Sequence, residues 1–247
     1  MTSQLKTALL LALLTGLILF LGQAAGGKTG LMIAFGLALV MNVGSYWFSD
    51  KIVLRMYKAR ELSPSEAPML HAMVEELARN ADIPKPRICL IPDESPNAFA
   101  TGRNPQNAVV AVTEGIVRLL SPDELRGVVA HEMGHIANRD ILVQSIAGVL
   151  ASVIIYIANM MQWAAIFGVG GGRSDEGGGG GNIFSTLLLA LLAPVAASLI
   201  QFAISRSREY LADATGAKLC GNPLSLASAL GKLGSYSKQI PMREGSP

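Results

Sequence analysis

Four long apolar runs constrain this chain more than any other feature. They cover residues 7 to 21 or slightly beyond, 31–48, 141–168 and 183–204. A helix needs about 20 predominantly apolar residues to cross roughly 30 Å of hydrocarbon, and these runs read as membrane spans. A cleaved signal peptide would explain the first, with Gln23-Ala24-Ala25 as the cleavage site,. Against it, the second run follows almost at once and is closed by Asp50 and Lys51. A hairpin of two helices turning near Gly26-Gly27-Lys28 fits better. The last two runs, the fourth kinked at Pro194, would otherwise be buried core helices,. A chain of 247 residues has too little other protein to shield them.

Basic residues set the sidedness. Lys51, Arg55, Lys58 and Arg60 follow the second run, and Arg206 and Arg208 follow the fourth. The opposite connections carry only Lys28 and Arg173. The excess of Lys and Arg marks the cytoplasmic side, which predicts four organisational pieces. Residues 1–49 form a transmembrane hairpin and 50–140 a cytoplasmic part. Residues 141–204 form a second hairpin, with a glycine-rich connector at 169–182, and 205–247 return to the cytoplasm. The connector includes the uninterrupted Gly177 to Gly181 but lacks the Lys-Ser/Thr ending of a phosphate-binding loop,. A formal charge of +2, with no basic patch interleaved with aromatics, excludes a nucleic-acid surface,. Cys89 and Cys220 follow no metal or disulfide pattern and read as reduced and structural,.

The pieces between the spans have the charge and periodicity of soluble protein. An amphipathic helix is predicted over 62–82, capped by Ser63 or Ser65, with Met69, Met73 and Leu77 on its apolar stripe. Residues 87–91 read as a strand, and 98–101 and 108–112 as two more joined by a loop. Thr113 starts a short helix ending near Leu120. Ser121, Pro122 and Glu124 are a strong start signal for the next helix, whose buried face is Leu125, Val128, Val129, Met133 and Ile136.

That helix carries His131-Glu132-Met133-Gly134-His135. Two histidines four apart face the same way and can hold one Zn²⁺, while the glutamate after the first can act on a metal-bound water. The plainer alternative is a helix with two satisfied histidines. A catalytic zinc needs a third protein ligand and an open position. His71 is the one remaining histidine and has no spacing argument in its favour. Glu209 and Asp213 lie four apart among small residues at Ala212, Ala214, Gly216 and Ala217. They are assigned as third ligand and as acceptor for the outer N–H of a ligand histidine. Otherwise they are a solvated helix face.

Three segments carry a resemblance: Asn97-Ala98-Phe99-Ala100-Thr101-Gly102; the HExxH segment with Asn138 and Asp140; and Glu209-Tyr210-Leu211-Ala212-Asp213. Their order, with two spans between the last two, is similar to that of the HtpX family of bacterial membrane zinc peptidases, related to the CAAX prenyl endoproteases. The resemblance implies an α-helical integral membrane protein with a zincin-like, mainly helical catalytic domain containing a small β-sheet. It implies one Zn²⁺ per chain on His131, His135 and Glu209, with Asp213 in support. Residues 97–102, Asn97, Ala98, Phe99, Ala100, Thr101 and Gly102, would form the strand along which a peptide aligns. It also implies a multi-pass protein of the bacterial inner membrane with its active site facing the cytoplasm, a quality-control and stress-response role, and misfolded or damaged membrane proteins as substrates. Family members usually continue some tens of residues further, and the sequence leaves open whether the chain is truncated after Pro247.

The expected chemistry is metal-assisted hydrolysis with Glu132 as general base and acid. The expected partners are polypeptide substrates and the lipid bilayer, with no nucleic acid and an open oligomeric state. Tyr210 and Arg206 are weaker candidates for oxyanion donors than for packing and interfacial charge. A catalytically inactive metal-binding scaffold is the alternative. A transporter fits less well, since the spans hold only Asn42, Gln144, Asn159 and Gln162 as notable polar groups,.

Overall fold

A computed structural model describes residues 3–149, 151 and 206–239. The expected connector, the fourth span and all but the start of the third lie outside the described residues. Two compact units are distinguished: the residues up to Ser45 with those from Ile146, and Tyr46–Ser145 with those from Arg206.

Helix α1, Ser3–Met56, is interrupted at Gly26 and at Gly27, whose φ of 56° is left-handed. Glycine reaches that region without the Cβ clash other residues meet. The break sets Thr15 against Asn42, whose amide donates to the threonine hydroxyl at 2.7 Å. Gly22 and Gly30 meet where a Cβ on either would strike the other's backbone. By length and composition Gly26–Met56 can cross a membrane, while Leu11–Phe20 is a shorter apolar stretch. The second helix continues past Asp50 and Lys51, because Ile52, Val53 and Leu54 extend it without a breaker.

The second unit holds a four-stranded sheet in the order β1-β2-β4-β3. Its strands are Arg60–Glu61, Arg87–Ile91, Ala98–Thr101 and Val109–Thr113. β2 and β4 are parallel, and β1 and β3 are antiparallel edges. β4 is buried along its whole length, as expected of an apolar central strand. β1 escapes sequence reading because two polar residues carry no period; its pairing with β2 defines it.

Around the sheet lie α2 (Pro68–Asn80), α3 (Glu114–Leu119), α4 (Pro122–Ala137), α5 from residue 141, α6 (Arg206–Cys220) and α7 (Pro223–Gln239). α2 starts later than expected. The Glu66 carboxylate accepts from the backbone N–H and hydroxyl of Ser63, which holds 63–66 as a turn, and Pro68 opens the helix. Its inward stripe is Leu70, Val74, Leu77 and Ala78, and Met69 is 72% exposed. α4 begins with the expected capping box. The five residues assigned to its inner face are buried with Val74, Leu77, Ile88 and Val110 in one core. Glu124 also accepts from Ser228 and Lys232 at 2.7 Å each, fastening α7 to the start of α4.

Candidate active site

α4 and α6 meet with almost no side chain between them. A Cβ on Gly134 would lie 2.8 Å from the carbonyl oxygen of Ala212, and one on Gly216 would lie 2.9 Å from Cα of His131. Both helices are too close there for anything but glycine. Gly134, the variable fourth position of the HExxH segment, is therefore what lets α6 come near enough for Glu209 to reach the histidines.

His131 Nε2 and His135 Nε2 each lie 3.6 Å from the same oxygen of Glu209. One ligand atom from each of the three falls within 4.8 Å of the others, forming a cluster able to hold a metal ion. Two ligands about 2.1 Å from a tetrahedral zinc stand roughly 3.4 Å apart, so the donor set and its spacing fit the ion. His71 is not part of the cluster; its Nε2 lies 3.1 Å from the carbonyl oxygen of Leu62.

Each histidine is held from behind by a carboxylate. His131 Nδ1–H donates to Asp213 at 2.8 Å, the support expected from sequence. His135 Nδ1–H donates to Asp140 at 3.1 Å. Asp140 stands among the recognised motif residues, but its role is not read from sequence. It follows from the way α4 ends. Arg139 takes a φ of 57°, and the N–H groups of Arg139 and Asp140 bond the carbonyls of Ile136 and His135. This left-handed helix stop turns the Asp140 side chain back onto His135. The signal available in the sequence was the aspartate five positions after the histidine. Burial lowers the pKa of His135, but the Asp140 hydrogen bond and charge, with Glu132 and Glu209, outweigh it and raise the group overall.

Glu132 lies between the His131, His135 and Glu209 cluster and the sheet. Its Oε2 accepts from the Ala100 N–H at 2.8 Å. Burial raises its pKa above the ordinary carboxylate range, against the opposing effects of His135, His131 and the Ala100 N–H, while Glu209 adds to the rise. Asn97 exchanges hydrogen bonds with Thr113 on β4. Antiparallel pairing alternates, so the polar groups of Ala98 and Ala100 point away from β4, at the free edge. Of these, the Ala100 N–H is taken by Glu132. Gly102 ends the strand at a φ of 133°, and Ser145 accepts from its N–H at 3.3 Å. Phe99 packs against Tyr57. Tyr210 is 72% exposed and Arg206 is exposed; neither is drawn into the cluster.

A His/His/Glu cluster able to hold a metal ion, with a buried carboxylate beside it and a sheet edge alongside, has the make-up of a zinc metalloendopeptidase active site. The model of Peptidase family M48 matches residues 64–239. A "Protease HtpX homolog" of Syntrophobacter fumaroxidans is 60% identical over the whole chain and 87% of its own length. Those of Persephonella marina and Pyrococcus furiosus are 59% and 55% identical, over 95% and 98% of this chain and 80% and 82% of theirs. The chain belongs to peptidase family M48, in its HtpX branch. The crystal structure of S. mikatae Ste24p shares the fold at a TM-score of 0.54 and 22% identity, over 99% of this chain and 61% of that one. The membrane location expected from the apolar runs agrees with the family and with helix Gly26–Met56.

Proposed function

We propose that His131, His135 and Glu209 hold one Zn²⁺ per chain, that Glu132 is the catalytic base, and that the chain hydrolyses peptide bonds of misfolded or damaged membrane proteins at the cytosolic face. The observation that carries this reading is the single Glu209 oxygen 3.6 Å from both Nε2 atoms, with Glu132 between the histidines in sequence. When bound, the metal lowers the pKa of water and polarises a carbonyl. Asp213 and Asp140 fix the Nδ1–H tautomers, which turns both Nε2 lone pairs toward the metal position. The Ala100 N–H holds Glu132 Oε2, leaving Oε1 to take the proton from the attacking water and pass it to the leaving nitrogen. A substrate strand laid against residues 97–102 would find the Ala98 N–H and C=O and the Ala100 C=O at the free edge. Backbone pairing of that kind selects extended conformation more than side chains.

The multi-pass arrangement, with domains 1–49, 50–140, 141–204 and 205–247 in a bacterial inner membrane, is part of the same reading. Its supports are the Lys/Arg asymmetry of the connections, and the apolar helix. With four crossings, Glu209 returns to the side of His131. Glu132→Gln is the test. It should keep metal by elemental analysis and lose at least about 10²-fold in cleavage of a fluorogenic peptide. Cleavage by the metal-loaded variant at the parent rate would overturn the assignment of the base.

A further inference from the structure

Trp47 lies under the guanidinium of Arg103, 4.3 Å from ring centroid to Cζ. This contact joins the catalytic unit's helical lead-in to the loop that leaves β3. Tyr46, Trp47 and Phe48 are 39%, 52% and 50% exposed. Trp47, Lys51 and Arg55 stand four apart and share one helix face; both cations are exposed. Arg60, Arg87, Arg118 and Arg126 are all ion-paired with carboxylates. Among the described residues, Lys51, Arg55 and Arg103 make no salt bridge. Along the same helix the residues before Tyr46 include Met32, Ile33, Phe35, Val40 and Val43, all more than half exposed. The order is therefore exposed apolar surface, then aromatic rings, then cations that make no salt bridge among the described residues. That is the order of hydrocarbon, interface and headgroup in a bilayer.

We propose that Arg103, Lys51 and Arg55, set around Trp47, bind the phosphate of acidic phospholipid headgroups, and that Arg103 thereby ties the end of β3 to the bilayer surface. Charge complementarity selects an anion. The exposed rings and the apolar surface leading to them select a lipid over a soluble acidic peptide. Thr101 and Gly102 are both hydrogen-bonded to Ser145, so the loop that carries Arg103 starts from a fixed point. The inference rests on the membrane location and is independent of the metal chemistry.

The chain has two tryptophans, so Trp163→Phe leaves Trp47 as the single reporter. The full-length W163F protein is placed in phosphatidylcholine nanodiscs containing an equal fraction of brominated phosphatidylglycerol or brominated phosphatidylcholine. Quenching of Trp47 should be stronger with the acidic lipid, approaching roughly fivefold local enrichment for each engaged cation. The preference should vanish in K51Q/R55Q/R103Q with unchanged far-UV circular dichroism. Native mass spectrometry of the chain with both tryptophans should show phosphatidylglycerol retained over phosphatidylcholine, which covers the case in which W163F does not fold. Equal quenching and equal retention of the two lipids would overturn the proposal, as would an acidic preference that survives the triple substitution.

Discussion

The two histidines of the cluster are held in different ways. His135 is 4% exposed, and its partner Asp140 is 2% exposed and only five residues away. His131 is 16% exposed, and its partner Asp213 is 48% exposed on another helix. One imidazole is held by a carboxylate that the local ending of α4 supplies. The other is fixed only once α6 has docked, and Glu209 arrives by the same docking. The cluster is thus half local and half tertiary, and the two halves fail differently.

The largest expected effect comes from the tertiary half. Glu209→Ala removes the proposed third ligand, and bound zinc measured by elemental analysis should fall to background; full occupancy would rule out its assigned role. Gly216→Leu leaves every polar group in place but drives a side chain into the backbone of His131. Overpacking of that kind costs about 1–3 kcal/mol. It should displace Glu209 and Asp213 together, so metal affinity should drop further than in Asp213→Asn. Affinity no weaker than in Asp213→Asn would mean that the close helix contact does not set the site. Removing the carboxylates behind the histidines is expected to weaken metal binding by about 10–100-fold. Asp140→Asn should sit near the upper end, because its partner is buried and water cannot replace it, and Asp213→Asn near the lower. Zinc titration against a competing chelator would show the ranking, and a reversed order would break the distinction between the two histidines.

The smallest effect concerns how α4 itself is held. Lys232 donates to Glu124, and with Ser121 and Ser228 it lowers the carboxyl from 4.5 to about 2. Since the folded value lies below the unfolded one, this contribution is complete above pH 4.5 and is lost as pH falls toward about 2. Thermal midpoints in detergent should therefore fall more steeply between pH 4.5 and 2 in the parent than in Glu124→Gln. Parallel slopes would detach Glu124 from α4 stability.

What the sequence made legible follows the same division. The start of α4, its buried face, the HExxH pair and three of the four strands rest on local pattern and turn chemistry, and all are found within a residue or so. Asp213 behind His131 was readable because a carboxylate four residues from Glu209 shares its helix face. The role of Asp140 was not, since it depends on Arg139 adopting a left-handed conformation that glycine or asparagine more often signals. The Ala100 N–H on Glu132 was invisible because backbone donors carry no residue-type signature. Gly216 stood among the small residues noted on its helix, but the sequence offered no reading of Gly134, and only the packing shows that the two glycines set the distance between helices. Met69 was placed inward by periodicity alone, while the Pro68 start turns Leu70 inward instead.

The separation of His131 from its partner Asp213 by 82 residues also has a consequence in time. At roughly 5–20 residues per second, the ribosome needs about 4–16 s after making the first histidine to supply the carboxylates of α6. During synthesis the emerging chain carries His131, Glu132 and His135 before Glu209 and Asp213 exist. A nascent chain built in this order cannot bring the groups of the proposed site together until α6 has left the ribosome.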